Sequence, residues 1–270
     1  LETLKPHLLT GPGVKFESEQ ISSARIEVLT GMLPFESLLK SAAEVHGHLC
    51  PGQVVGVRMA MLGCRLIGLE EPTRHDQIKK LIVYVEMDRC TADAVAHVTG
   101  VKLGRRSLKF MDYGIMAATF VNLETGRAFR VISTEEARSL APSYAPEINQ
   151  KYPQQLEAYQ RMPDSVLFRV QQVDVAISEF DLPGPTRRKV VCDQCGQVVR
   201  DHREINREGR ALCRLCAGDA YFSNAREVTW PDMNRVPERS RQTALSGDQN
   251  GRHLSNAGDP CWSEKEFKPC

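Results

Sequence analysis

Apolar residues recur at Phe35, Leu38, Leu39, Ala42 and Val45, a spacing of threes and fours that predicts an amphipathic helix opening near Pro34 and running to His46-Gly47-His48. Pro51 is expected to stop this helix. A proline pushes the residue before it out of the helical region, so Cys50 is predicted to be extended, with its thiol at the mouth of an elbow. A second helix is predicted from Gln53 to Leu69. It is apolar nearly all round, with only Arg58 and Arg65 charged, and Gly56, Ala60 and Gly63 form a small-residue stripe that permits close backbone approach. That composition places it at the centre of a domain. Leu81 to Met87 is β-branched and aromatic enough to be a strand, and Cys90 follows it at a strand-to-helix corner. Thr91 is expected to cap a short helix through Val98, ended by Gly100, and the partial positive charge at its start is expected to favour a thiolate at Cys90.

Further strands are predicted at Ser107 to Met111, Ile115 to Val121 and Ala128 to Ser133, the last two joined by a turn at Glu124-Thr125-Gly126. Ser133-Thr134-Glu135-Glu136 has the pattern of a capping box, opening a helix that Pro142 closes. A helix around Gln154 to Met162 and a strand from Val166 to Ile177 complete the domain. The fold class is therefore α+β, a mixed sheet of four or five strands packed with helices, followed by a small four-cysteine zinc ribbon and a disordered tail. The expected organisation is an N-terminal extension over 1–32, the large domain over 33–180, a Pro-rich basic linker over 181–190, the ribbon over 191–222 and the tail over 223–270. Cys261 and Cys270 fall in the tail and carry no assigned role.

A formal net charge of +1 on 270 residues gives no basic face to neutralise a phosphate backbone, so nucleic acid is not the expected partner. No apolar run reaches the ~18 residues a membrane helix needs. Leu1 to Lys15 lacks the charged-then-apolar layout of a secretory signal, so the expected compartment is the cytoplasm, although a chain that begins with Leu leaves its true start open.

Nine cysteines in a chain too large to need disulfide staples point to reduced, metal-binding thiols. Cys192-x-x-Cys195 and Cys213-x-x-Cys216, with 17 residues between the pairs, have the spacing of two knuckles that close a tetrahedral shell around structural Zn²⁺. A module of this size has too little core to fold alone, and metal binding of about 10 kcal/mol supplies the difference. Its arginines, from Arg187 to Arg214, are largely offset by Asp193, Asp201, Glu204, Glu208 and the thiolates, and read as a solvated surface.

His46-Gly47-His48-Leu49-Cys50-Pro51-Gly52, answered by Cys90-x-x-Asp93, is a mixed donor set of the kind that keeps a coordination position open. On a regular helix only His46 and Cys50 share a face, and an unwinding last turn lets two or all three donors converge. Zn²⁺ suits these donors best, with Fe or Cu behind it. Cys64, mid-helix, reads as core. His97 reads as a structural partner of Asp93, and Arg105 with Arg106 as loop arginines that either bind an anion or only solvate.

Together with Gly56 and Arg58, Ala94, Thr99-Gly100, Leu103-Gly104 and Asp112-Tyr113-Gly114, these motifs resemble the FmdE component of formylmethanofuran dehydrogenase and its relatives, over about Phe35 to Val131. The C-terminal ribbon is similar to one that many relatives append. The resemblance implies an α+β domain, a homodimer, and a metal held by His48, Cys50 and Cys90, with His46 either a ligand or a group behind one. Asp93 is then a candidate to orient a ligand or accept a proton as the catalytic base, against the plainer reading of a helix N-terminal carboxylate. Many relatives carry Cys-Thr where this chain has Val101-Lys102, and Lys where it has Ile115, so a cysteine that is a candidate to touch metal or substrate is absent. The dehydrogenase chemistry resides at a molybdenum or tungsten pterin in other subunits, and nothing here resembles a pterin-binding chain or an iron–sulfur cysteine array. The expected function is a metal-binding accessory component of such an enzyme system, with other enzyme subunits as partners. The alternatives are a stand-alone zinc enzyme with Asp93 as base, and a ribbon-based regulatory or interaction module.

Overall fold

The computed structural model describes residues 31–226. Most of the expected N-terminal extension and of the tail, including Cys261 and Cys270, lies outside the described residues. The chain divides into two units, Leu1–Ala217 and Gly218–Cys270. Of the second only 218–226 is described, where Tyr221 and Phe222 meet edge to face.

The first unit opens with α1 (Phe35–His46), which Gly47 ends in the left-handed conformation at φ 94°. Helix α2 (Pro51–Ile67) follows at once. Pro51 therefore opens the second helix and does not stop the first: its fixed φ suits the first helical position, where no N–H is missed. Cys50 is the residue before α2, extended at φ −144° and ψ 164°, as expected of a residue preceding proline. A short α3 (His75–Ile78) precedes β1 (Leu81–Val85) and α4 (Cys90–Thr99). Arg89, not Thr91, stands before α4, and the Thr91 hydroxyl donates to Gly52 O instead (3.2 Å). Strands β2 (Leu108–Phe110), β3 (Ala117–Asn122) and β4 (Ala128–Ser133) lead to α5 (Glu136–Tyr144). Ser133 makes no capping box; Thr134 Oγ1 accepts from Ala137 N, and Pro142 sits inside the helix rather than closing it. Then come α6 (Lys151–Arg161), the one-turn α7 (Asp164–Leu167) and β5 (Phe168–Gln172), the last shorter than expected. The ribbon strands are β6 (Lys189–Val191), β7 (Val198–Arg200), β8 (Ile205–Arg207) and β9 (Arg210–Leu212).

The large sheet has the order β2-β1-β3-β4-β5. It is mixed: β1 and β2 run parallel, joined across α4, and every other pairing is antiparallel. Side chains alternate across it as strand geometry requires. Leu81, Val83, Val85, Ala118, Phe120 and Val131 face the helices in one core, whereas Ile82, Val121 and Ala128 face Val173, Val175, Ile177 and Leu182 of the returning chain. On that second face the buried Glu86 carboxylate accepts two bonds from Arg130, each 2.6 Å long. Helix α2 lies at the centre, as its all-round apolar sequence predicts, and its Cys64 is fully buried with the thiol pushed up to about 12 by burial. Arg58 leaves this apolar helix to donate to the carbonyls of Tyr159 and Met162 and to Asp164, tying α2 to the end of α6.

Gly63 lets α2 settle onto the Phe120 ring, since a Cβ at that position would lie 2.2 Å from Phe120 Cδ2. Gly63→Ala gains about 1 kcal/mol in helix propensity. Overpacking in a filled core costs about 1–3 kcal/mol. The expected net result is a lower urea midpoint with an unchanged m-value; a stabilised variant would show that this contact yields easily.

Candidate metal centre and its cavity

Cys50 precedes the first turn of α2 and Cys90 is the first residue of α4, so each thiol stands at a helix N-terminus. Their meeting depends on how closely the two helices approach. A Cβ on Gly52 would lie 2.9 Å from Cys90 Cβ, and one on Gly56 would lie 2.6 Å from both Ala94 Cβ and Thr91 O. Only glycine leaves room for backbone contact this close. Two hydrogen bonds then fix the register: the buried Gln53 Nε2 donates to Cys90 O (2.7 Å), and Thr91 Oγ1 donates to Gly52 O. The last residue of α1, His46, arrives from the other side.

Donor atoms of His46, Cys50 and Cys90 all lie within 4.8 Å of one another. His46 Nδ1 is 3.1 Å from Asp93 Oδ2, and its Nε2 is buried without a hydrogen-bond partner among the described residues. A carboxylate on one ring nitrogen fixes the tautomer and leaves the other as a lone-pair donor, the usual arrangement behind a metal-bound imidazole. One nitrogen and two sulfurs suit Zn²⁺ or another borderline ion. The residues therefore fit a metal. His48 is exposed and packs its ring against that of His46, with centroids 4.7 Å apart, outside the converging set. Asp93 is 66% exposed. His97 does not pair with it; its Nε2 lies 2.8 Å from Ser41 Oγ. Burial, then the adjacent Cys50 thiol, holds the Cys90 thiol above the usual cysteine range and outweighs the backbone N–H that favours the thiolate. The expected helix-terminus effect is thus too weak on its own to ionise Cys90.

Both thiols border a cavity of about 240 Å³ between α2, α5 and α6. Its other lining includes Val55, Met116, Arg138, Gln155 and Tyr159. Arg138, Gln155 and Tyr159 were not singled out by the sequence patterns, and Ser133, Thr134 and Glu135, which also line it, were read only as a capping box. The available signal was Gln155, a polar residue opening the stripe Gln155, Ala158, Tyr159 and Met162 that α6 buries.

In the ribbon, the sulfurs of Cys192, Cys195, Cys213 and Cys216 also cluster within 4.8 Å. Hairpins β6–β7 and β8–β9 present the two knuckles. The Cys192 thiol is lowered to about 6, first by the Cys213 N–H and then by the Cys195 N–H. Hydrogen bonding to Cys213 and burial raise Cys216 to about 12. Such a set holds one thiolate ready and releases further protons as a cation binds. Arg106 donates to Asp201 (2.8 Å) and Lys109 to Asp181 O (2.7 Å), with Arg203 also on Asp181. Arg106 is thereby a tie to the ribbon, whereas Arg105 is exposed.

Fold and donors define an α+β protein with two separate metal-competent clusters, one closed and one beside a cavity. Residues 45–169 match the family described as FmdE, molybdenum formylmethanofuran dehydrogenase operon, and the chain carries a domain of that family. It is 29% identical over 203 residues to a protein of Archaeoglobus fulgidus described as a probable S-adenosyl-L-methionine-binding protein, covering 68% of this chain and 53% of that one. The chain thus spans about half the length of the curated relative it matches. It also resembles the crystal structure of a tungsten formylmethanofuran dehydrogenase FmdE-like protein from Syntrophus aciditrophicus. That match has a TM-score of 0.47 and 18% identity, and covers 73% of this chain and 98% of that one.

Gly56→Ala alters no donor, yet its Cβ must push α4 away from α2 and Cys90 from Cys50. The expected outcome is at least a tenfold (about 1.4 kcal/mol) loss of affinity at the His/Cys site, with helical circular dichroism retained. Equal affinity would show that the thiols do not depend on this contact.

Proposed function

We propose that this chain is a metal-binding protein in which His46, Cys50 and Cys90 hold one transition ion beside a small cavity and the four ribbon cysteines hold a structural zinc. The observation that carries this reading is the buried, unpartnered Nε2 of His46, fixed by Asp93 through Nδ1 in the cluster with both thiols. A bound ion there supplies Lewis acidity, and with three protein donors it keeps a position for an exogenous ligand. The chain's own residues do the rest. Gln53 and Thr91 hold the helix starts together, Asp93 sets the imidazole, and the apolar walls of the cavity limit water at the thiols. We assign Asp93 to positioning rather than to proton transfer, because it lines the cleft with Ala96 and His97 and not the cavity of the thiols. His48, beside His46, is a candidate fourth donor.

The family's description, which names a molybdenum enzyme's operon, supports a role alongside such an enzyme; in this reading the chain holds a metal-bound small molecule for partner subunits. A catalytic role of its own is the second reading, favoured by the cavity that borders the two thiols. The name of the Archaeoglobus relative brings S-adenosylmethionine forward as a ligand for this chain too. The cavity, about 240 Å³, is smaller than the roughly 300–1,000 Å³ of pockets that enclose drug-sized ligands. We therefore favour a smaller molecule.

Elemental analysis of protein purified without added metal tests the reading. Wild type is expected to carry two ions per chain, Cys50→Ser and Cys213→Ser each one. A single zinc that survives Cys50→Ser and disappears with Cys213→Ser would contradict the His/Cys centre. Asp93→Asn keeps the hydrogen bond's geometry but not its charge, and is expected to weaken metal at that centre about 10–100-fold. Unchanged affinity in a competition titration would reduce Asp93 to a helix-terminal carboxylate.

A further inference from the structure

The cavity has two ends of different chemistry. Cys50, Cys90, Val55 and Met116 make one end soft and apolar, while Arg138 and Gln155 stand toward α5 and α6. Gln155 is 8% exposed and its side chain has no hydrogen-bond partner among the described residues. A primary amide carries two N–H donors and a carbonyl acceptor, and on a cavity wall these stay open to water or a ligand. Arg138, 54% exposed, reaches the cavity from its rim. It meets Glu135 only at 3.5 Å, and the Glu135 side chain is 77% exposed, so solvent screens that pair. The Tyr159 phenol lies near the same guanidinium. Glu135 lines the same cavity but is mostly turned to solvent, so the guanidinium fork and the amide N–H₂ are donors that match a carboxylate.

Size narrows the class. A volume of 240 Å³ is that of about eight liquid waters, enough for a compact acid and too little for a nucleotide. We propose that the cavity binds a small monocarboxylate, its oxygens on Arg138 and Gln155 and its apolar remainder pointing toward the thiol pair. The inference rests on the metal-centre reading only for what the far end of the ligand meets; the carboxylate end stands on α5 and α6 alone.

Calorimetric titration of the full chain, loaded with Co²⁺, with isobutyrate and with isobutyramide tests it. Isobutyrate is expected to bind at least about tenfold tighter than the isosteric amide. Arg138→Ala, at an exposed position that does not threaten folding, and the isosteric Gln155→Glu are each expected to lose about tenfold or more at unchanged melting temperature. Equal binding of acid and amide would overturn the proposal. So would full affinity in Arg138→Ala, or no heat with isobutyrate in wild type. The part of the thiolate-to-Co²⁺ absorption that Cys50→Ser removes, over the ribbon's own bands, reports separately on the metal at the His/Cys centre. A Cys50-dependent band increment but no carboxylate heat would overturn the cavity site and leave the centre standing. Arg138-dependent heat without that increment would uphold the carboxylate site while the metal reading failed.

Discussion

Two helix starts bring their first thiols to one point only when their backbones nearly touch, and in this chain that contact is made by Gly52 and Gly56 of α2 against Cys90, Thr91 and Ala94 of α4. A methyl group at either glycine would occupy space already filled. Everything at the site depends on this approach. It fixes the Cys50 to Cys90 separation, aligns Gln53 with the Cys90 carbonyl, and leaves His46 at the end of α1 to close the triangle. Sheet and helices serve it in turn: β1 delivers α4 at its carboxyl end, and the core beneath α2 holds that helix central. Open α/β sheets often place ligands at such carboxyl ends.

Electrostatics at the two clusters diverge for a physical reason. In the ribbon, backbone N–H groups point at Cys192 and lower its thiol, so the knuckle is prepared for a cation. At the helix elbow the two thiols face an apolar cavity, and burial with mutual proximity raises Cys90. The first arrangement suits a permanent structural ion. The second leaves donors that gain much from a cation but face a space in which a ligand fits. The ribbon's ties to the large domain run through Asp181 and Asp201, both acceptors for side chains of the β2 region, Lys109 and Arg106. They give the module a fixed seat within the first unit.

Much of this was legible in the residues themselves. Period-3.6 and period-2 patterns located α1, α2, β1, β3 and β4, because each buries one face or the whole element in a single core. The proline after Cys50 foretold its extended backbone. Local pattern misjudged the element ends: the same Pro51 both restrains Cys50 and starts α2, and Thr91 spends its hydroxyl on Gly52 rather than on a cap. Tertiary contact decided those outcomes. The pairing of Asp93 with His46, and of His97 with Ser41, spans 47 and 56 residues and left no trace in local spacing. Gln155 and Arg138 escaped for the same reason: each is ordinary on its own helix and acquires meaning only across a cavity.

The central claim is that the α2–α4 contact assembles one nitrogen and two sulfurs around a common ion. X-ray absorption at the zinc edge, on a full chain whose four ribbon cysteines are replaced by serine and which is loaded with one zinc, tests this most directly. The account predicts a mixed shell with sulfur scatterers at about 2.3 Å and nitrogen at about 2.0 Å. A shell of nitrogen and oxygen alone would contradict it.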